Sequence, residues 1–159
     1  MTSELRVDRI VPTTGVPTGG GGGITQVKQV TKTDGFATTS TSYVDITGLS
    51  LNITPSLSSN KILVRVCITI GSGQTGADNK IRVLRGSTNI LTSDYLVRND
   101  ESTSGGKEHT IEVLDSPSTT SAVTYKIQGL AETNEIFVNR NGSNDVTGQS
   151  TITLMEVTA

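Results

Sequence analysis

Residues 62–70 read ILVRVCITI, and the alternation in this stretch decides the fold class. Side chains at every second position of a β-strand lie on the same face, so a period of two predicts a strand with one buried side. The aliphatic positions that share the predicted buried face are Ile62, Val64, Val66, Ile68 and Ile70. The positions on the other face are Leu63, Arg65, Cys67 and Thr69.

Short stretches of the same kind, separated by turn-forming residues, continue in both directions along the chain. No segment has the 3.6-residue period of an amphipathic helix. Predicted strands cover residues 24–32, 43–54, 62–70, 80–86, 89–97, 108–115, 122–131, 135–140 and 150–158. About eight to nine antiparallel strands of this length predict an all-β, antiparallel β-sandwich of the jelly-roll type.

The composition agrees with a sandwich that has a thin core and a polar surface. Ser, Thr and Gly supply 60 of the 159 residues, whereas hydrophobic residues are 33% and aromatic residues 3%. The net charge of −2 provides no global field for nucleic acid or an anionic membrane. No apolar run approaches the roughly 18 residues of a membrane span, and no basic-then-apolar leader is evident, so we expect neither membrane insertion nor a signal peptide.

The first 23 residues differ from the rest of the chain. They contain SELRVDRIVPTTGVPTGGGGG, in which two prolines favour extended backbone and five glycines predict a flexible hinge. The predicted domains are therefore an arm with its hinge (1–23) and a β-sandwich (24–159). The predicted anchoring residues of the arm are Leu5, Val7, Ile10, Val11, Pro12 and Pro17. The predicted hinge residues are Gly19, Gly20, Gly21, Gly22 and Gly23.

Motifs for catalysis or cofactor binding are weak. Residues 71–76 match the spacing G-x-G-x-x-G, but a further predicted strand follows, so the helix that would receive a pyrophosphate is missing and we predict a hairpin loop. His109 is the only histidine, and we interpret it as a structural or interface residue that shares a strand face with Ile111 and Val113. Cys67 is the only cysteine, which excludes an intramolecular disulfide. We expect no catalytic residues, no metal and no cofactor.

Two loops rich in Asp and Asn remain as candidates for host contact. Their side chains also suit turn formation, and neither loop has the ordered spacing of a calcium loop. The predicted contact residues are Tyr95, Asn99, Asp100, Asn141 and Asn144. A host glycan or protein is the expected ligand class, although the chain has no Trp to stack against a sugar.

The opening segment SELRVDRIVPTTGVPTGGGGGI resembles the start of small fibre-like structural proteins of tailed phages, especially phages of cyanobacteria. Further blocks resemble the same group, and together they cover most of the chain. These blocks are SSNKILVRV, VLRGST, VLDSPSTTSAVTYKI and STITLMEV. The resemblance implies a non-enzymatic virion protein made in the bacterial cytoplasm.

Three functions are left open by the residues and the resemblance. The first is a short trimeric tail fibre or spike, anchored to other virion proteins by the arm, with an exposed sandwich that contacts the host. The second is a capsid decoration or cement protein that clamps capsomers through the same arm. The third is a carbohydrate-binding module. A homotrimer is the expected oligomer, because closed symmetry would bury the apolar residues of the arm.

Overall fold

The computed structural model describes residues 23–73, 78–98, 106–141 and 145–158. These residues form β-strands and no helix, so no helix in the described part of the chain could span a membrane. The strands are β1 (Ile24–Lys32), β2 (Phe36–Thr38), β3 (Val44–Ile53), β4 (Lys61–Ser72), β5 (Asp78–Arg85), β6 (Thr88–Arg98), β7 (Lys107–Asp115), β8 (Val123–Leu130), β9 (Ile136–Val138) and β10 (Ser150–Val157).

The strands form two antiparallel sheets with jelly-roll topology. Sheet A has the order β1-β10-β4-β7, and the short strands β9 and β2 extend it next to the end of β4. Sheet B has the order β3-β8-β5-β6. The pairs β1–β10, β3–β8, β4–β7 and β5–β6 are nested, as in one long hairpin rolled into two sheets. This arrangement is the jelly roll, so the predicted fold class is confirmed.

The core is a single aliphatic layer between the inner faces of the two sheets. The five aliphatic residues of β4 that the sequence assigns to the buried face are all at most 1% exposed. Sheet B faces them with Ile53, Ile81 and Ile127, together with the buried ring of Tyr125. Because aromatic side chains are few, the sheets pack through branched aliphatic side chains.

Two details of the fold differ from the sequence-based expectation. The described residues contain ten strands, because the three-residue β2 is too short to show a period. The hairpin predicted between β4 and β5 is wrong, since β4 lies in sheet A and β5 in sheet B. β4 already pairs with β7 along one edge and with β10 and β9 along the other, so β5 has no free edge of β4 to join.

A bulge in β3 explains how two residues three positions apart both reach the core. Ile46 and Leu49 are both buried, although strict alternation would place them on opposite faces. The register of β3 against β8 shifts between Asp45 and Ser50, and Gly48 has φ +85° there. Glycine adopts this left-handed backbone without strain, so the bulge can form.

Candidate assembly surface on sheet A

The strand register brings four apolar side chains into a line across the outer face of sheet A. Residues directly paired in an antiparallel sheet place their side chains on the same face. Val27 pairs with Met155, Met155 with Leu63, and Leu63 with Leu114. These four residues, here called the apolar row, cross β1, β10, β4 and β7 in that order.

The apolar row is accessible to solvent. Val27 is 59% exposed and Leu114 is 52% exposed, while Met155 and Leu63 are half-buried between them. Ile24, which is 57% exposed, pairs with Val157 and extends the apolar surface toward the end of the sheet. Contiguous apolar surface of this kind costs free energy in water and marks interaction sites.

A polar row lies beside the apolar row on the same face. On each strand its member is two residues away from the apolar residue, after it in β1 and β4 and before it in β10 and β7. Its members are Gln29, Thr153, Arg65 and Glu112. Gln29 Nε2 donates to Thr153 Oγ1 at 2.8 Å, and Arg65 Nε pairs with Glu112 Oε1 at 3.1 Å. These side chains satisfy one another within the sheet, so the polar row limits the width of the apolar row.

The outer face of sheet B has a different character. Asp45 accepts hydrogen bonds from Gln128 Nε2 at 2.5 Å and from Lys126 Nζ at 2.9 Å. These two contacts, with Gln128 the stronger, lower the pKa of Asp45. Arg82 Nε donates to Gln128 Oε1 at 2.8 Å, and its guanidinium lies 4.0 Å from the centre of the Tyr43 ring. Among the described side chains this network makes the outer face of sheet B charged and polar, whereas sheet A carries the apolar row.

A buried carboxylate fixes the end of the sandwich next to the apolar row. Glu156 is fully buried and accepts hydrogen bonds from the Ser56 N–H at 2.6 Å and the Ser56 hydroxyl at 2.7 Å. Asn60 Nδ2 at 2.7 Å and Gln26 Nε2 at 3.2 Å complete its set of donors. The connection from β3 to β4 is thereby tied to β10 and β1. Leu57, at the tip of this connection, is exposed.

The environment of Glu156 favours its charged form. Burial acts to raise the pKa, but the hydrogen bonds from Asn60, Ser56 and Gln26 together outweigh it and lower the pKa to about 2. Because these donors are uncharged, hydrogen bonds rather than an ion pair hold the carboxylate. The group therefore serves as a structural anchor at neutral pH.

A second polar cluster joins the two sheets at β7, β5 and β8. The Asp115 carboxylate accepts hydrogen bonds from Arg85 Nη1 at 2.8 Å and from the Tyr125 hydroxyl at 2.6 Å. Burial first, and then the Asp115 carboxylate, raises the pKa of Tyr125, which keeps the phenol protonated. Asp115 belongs to the block VLDSPSTTSA, so this part of the sequence supplies an inter-sheet contact.

The predicted arm lies almost entirely outside the described residues. Leu5, Val7, Ile10, Val11, Pro12, Pro17 and Gly19 to Gly22 belong to that undescribed segment. Gly23 is described: its carbonyl accepts the Thr158 N–H at 3.0 Å, and its N–H donates to Thr158 Oγ1 at 2.7 Å. The chain therefore enters the sandwich beside its own C-terminal strand, next to Ile24 and Val157.

Of the predicted host-contact residues, the structure describes the backbone of Tyr95 and the turn at Asn141. Tyr95 lies within β6 and not in a loop, because the hairpin with β5 continues as far as Arg98. Asn99, Asp100 and Asn144 lie outside the described residues. Asn141 and Asp145 close a turn, in which Asp145 N donates to Asn141 Oδ1 at 2.9 Å.

The candidate calcium loop at residues 139–145 uses its described polar side chains for structure. Asn139 is buried and has φ +58°, and its Nδ2 donates to the Lys32 carbonyl at 2.9 Å. Its Oδ1 accepts the Ser150 hydroxyl at 2.6 Å. Within the described part of the chain no three His, Cys, Asp or Glu side chains come together as metal ligands would. The turn-forming interpretation therefore accounts for the described residues of this loop.

The glycine motif after residue 70 is explained by packing. A Cβ on Gly71 would overlap the buried ring of Phe137, so only glycine lets β9 approach β4 there. The described residues after the motif form the strand β5, as the sequence predicted. Gly71 therefore has a structural role.

His109 and Cys67 lie on opposite faces of sheet A. His109 pairs with Ile68 and shares the inner face with Ile111 and Val113, as predicted. Partial burial, followed by the charge of Lys107, lowers the pKa of His109. Cys67 lies on the outer face, where its Sγ is 3.6 Å from Thr110 Oγ1. In the described part of the chain neither residue belongs to a group of three or more His, Cys, Asp or Glu side chains that could hold a metal ion.

The sequence placed Leu63 on the outer face but did not identify the apolar row. Each strand contributes one apolar residue to it, and in β4 and β7 the neighbours of that residue on the same face are polar. Only the relative register of β1, β10, β4 and β7 brings the four together. The only sequence feature that pointed to this surface was the outward position of Leu63 and Leu114 in two regularly alternating strands.

Comparisons with known proteins give a fold likeness and no family. No protein-family model and no curated protein sequence matches the chain. Similar solved structures include VP2 in a subviral particle of infectious bursal disease virus (TM-score 0.48, 13% identity, 94% of this chain and 42% of that one). The structure of the Gt strain of the same virus (0.48, 13%, 92% and 44%) and its T13 viral particle (0.43, 13%, 92% and 42%) are also similar.

The chain spans less than half the length of these viral proteins. At this identity and TM-score the likeness carries no argument about what the chain does, because one fold serves many functions. The function of this chain is therefore inferred from its own residues.

Proposed function

We propose that this chain is a non-enzymatic structural protein of a phage virion, a short trimeric tail fibre or spike anchored through residues 1–23. The observation that carries the proposal is the apolar row on the outer face of sheet A. A free monomer would expose Val27 and Leu114 to water, whereas a subunit of an assembly covers them. The resemblance of the arm and of the block at residues 113–127 to fibre-like phage proteins supports the same function.

Closed cyclic symmetry is the arrangement that covers the same surface on every subunit. In a ring of three copies each subunit presents one surface to the next, and no apolar surface is left at an open end. The charged network on sheet B, with Asp45, Lys126 and Arg82, remains on the hydrated outside of such a trimer. Sheet B and the turn at Asn141 are then the surfaces available for host contact.

Deletion of residues 1–22 tests the anchoring role of the arm. The deletion leaves Gly23 and its bonds to Thr158, and all core residues lie after it. We expect the truncated protein to keep the thermal unfolding transition of the full chain and to be absent from purified phage particles. Normal incorporation of the folded, truncated protein would show that the arm is not the anchor.

Labelled particles distinguish the tail fibre from the capsid decoration protein. A fibre or spike places a few copies at the tail, whereas a decoration protein places many copies over the capsid surface. The measurement is electron microscopy of particles carrying a gold-labelled tag at the C-terminus. Label over the whole capsid would replace the fibre proposal by the decoration protein, and saturable glycan binding by the free full-length chain would favour the carbohydrate-binding module.

A further inference from the structure

We propose that three copies of this chain pack the outer faces of sheet A together around a three-fold axis that runs parallel to the strands. The inference deepens the proposed function and rests on it, because it takes the trimer as given and assigns the surface that forms it. The partner is a second copy of the chain, and three features argue for it: the place of the apolar row, the charges of the edge strands, and the width of the sheet.

The exposed apolar side chains of sheet A lie at one end of the sheet. Ile24, Val27 and Leu114 are each more than half exposed there. The apolar row runs across the strands, so it lies at a single level along an axis parallel to them. Three rows at the same level around such an axis form one closed apolar layer. Gly23 lies at the same end, beside Thr158, so the arms of all three copies join the trimer at that end.

The two edge strands of sheet A carry opposite charges. β1 contains two lysines and no acidic residue, whereas β7 contains three acidic residues and one lysine. Lys28 on β1 and Glu108 and Glu112 on β7 are exposed. Rotation about an axis parallel to the strands places β7 of one copy beside β1 of the next, and the two strands run antiparallel. Opposite charges then meet at each contact, so the sheet is complementary to a second copy of itself.

The width of sheet A suits three copies. Its four long strands form a face about 19 Å wide at about 4.8 Å per strand. Three such faces form a triangular prism in which each face lies about 5.5 Å from the axis, close to half of the roughly 10 Å at which sheets pack. Four copies would place each face about 9.5 Å from the axis and leave a channel that the side chains do not fill. Three copies therefore bury the apolar row and close the ring.

Two copies stacked face to face are less favourable. With a two-fold axis along the row, Arg65 of one copy would lie over Lys61 of the other, because these residues of β4 flank Leu63 on the same face. With a two-fold axis parallel to the strands, the ion pair between Arg65 and Glu112 would be enclosed between two sheets, and the edges of β1 and β7 would stay open. In the prism this pair lies beside a corner, where β7 meets the next copy.

Charge substitutions at the two ends of the row test the surface and the order of the copies. In the prism Leu114 of one copy adjoins Val27 of the next, whereas within one chain the two residues are about 14 Å apart. Val27→Asp with Leu114→Asp places two carboxylates at every contact, and Val27→Lys with Leu114→Asp places opposite charges there. The control is Val146→Asp, because Val146 is 56% exposed but lies in the β9–β10 connection at the other end of β10.

The mass in solution by light scattering, over a dilution series of the full-length protein, measures assembly, and thermal unfolding verifies the fold. We expect three chains for the original protein and the control, association at least tenfold weaker with two aspartates, and recovery of most of that loss with lysine and aspartate. A mass of one or two chains for the original protein, or unchanged assembly with two aspartates, would overturn the proposal. Equal weakening in both double variants would overturn the order of the copies.

Cross-linking tests the face in the original protein and decides alone if a variant fails to fold. Cys67, the only cysteine, lies on the outer face of sheet A, and in the prism its Cα atoms are about 10 Å apart between copies. A short bis-maleimide should link two chains.

The control for cross-linking carries Cys67→Ser and Ser50→Cys. Position 50 is exposed on sheet B, where in the prism two copies are about 27 Å or more apart, so it should give no link. The absence of linked chains in the original protein would overturn the proposed face. A chain that enters phage particles as a monomer would overturn the inference and leave the virion role intact, so the two failures are distinguishable.

Discussion

Replacing Glu156 with Gln should remove a defined part of the stability of the fold at neutral pH. The substitution keeps the size of the side chain but removes the charge that Ser56, Asn60 and Gln26 stabilise by donating hydrogen bonds. Holding the pKa at about 2 instead of 4.5 corresponds to about 3 kcal/mol, at about 1.4 kcal/mol per pH unit. We therefore expect the free energy of unfolding to fall by about 3 kcal/mol at pH 7.

The sign of the pH dependence follows from the lowered pKa. A carboxyl group whose pKa is lower in the folded protein contributes its full stability above the unfolded pKa near 4.5, and loses that contribution as the pH falls through 2. The original protein should lose stability across this interval. The Glu156→Gln protein should lose less, so the two curves should converge near pH 2.

Urea unfolding followed by circular dichroism, at pH values from 7 to 2, measures both effects. Glu112→Gln is the control, because Glu112 is half-exposed and pairs with Arg65 on the surface, where such a pair contributes at most about 1 kcal/mol. The reasoning would be refuted if Glu156→Gln left the stability at pH 7 unchanged, or if its stability fell between pH 4.5 and 2 as steeply as that of the original protein.

Two further substitutions test the packing and the contact between the sheets. Gly71→Ala should destabilise the fold by about 1–3 kcal/mol, because the added Cβ overlaps the Phe137 ring, and thermal unfolding measures the loss. Tyr125→Phe should cost about 1–2 kcal/mol in urea unfolding, because the Asp115 carboxylate loses a buried donor at 2.6 Å while the aromatic ring is retained.

Each of these substitutions has a control within the chain. Gly23→Ala adds the same methyl group where no atom lies within 4 Å, so its unfolding temperature should stay unchanged. Tyr43→Phe removes a hydroxyl from a ring that stacks against Arg82 outside the core, and should cost less than Tyr125→Phe. Equal losses at Tyr43 and Tyr125 would argue against the inter-sheet contact as the cause.

Side-chain alternation made the fold class predictable, and the pairing of strands far apart in sequence did not follow from it. Period-two patterning is local, so the buried face of β4 could be read residue by residue. Which strand pairs with a given strand edge depends on contacts between residues about a hundred positions apart in the sequence, such as Leu63 of β4 and Met155 of β10. For this reason the sequence placed β4 and β5 in one hairpin, whereas they belong to different sheets.

The candidate surface was predictable only in fragments. The arm could be recognised from its composition, and Leu63 could be placed on an outer face. The apolar row could not be found, because it needs four strands in one register. The burial of Glu156 could not be predicted either. Its hydrogen-bond donors Ser56, Asn60 and Gln26 come from two segments far from it in the sequence, and an isolated Glu near the end of a strand is usually exposed to solvent.

The sequence by itself determined an all-β chain with a thin aliphatic core, a polar surface and a distinct N-terminal segment. Composition and side-chain alternation are local properties, so they can be seen within short stretches of the sequence. The tertiary structure decided which strands are neighbours, and with that which side chains meet. Val27, Met155, Leu63 and Leu114 form one surface only after the chain rolls into a jelly roll. The same rolling buries Glu156 among its donors, since hydrogen bonds and apolar contacts depend on distance in space and not on distance along the chain.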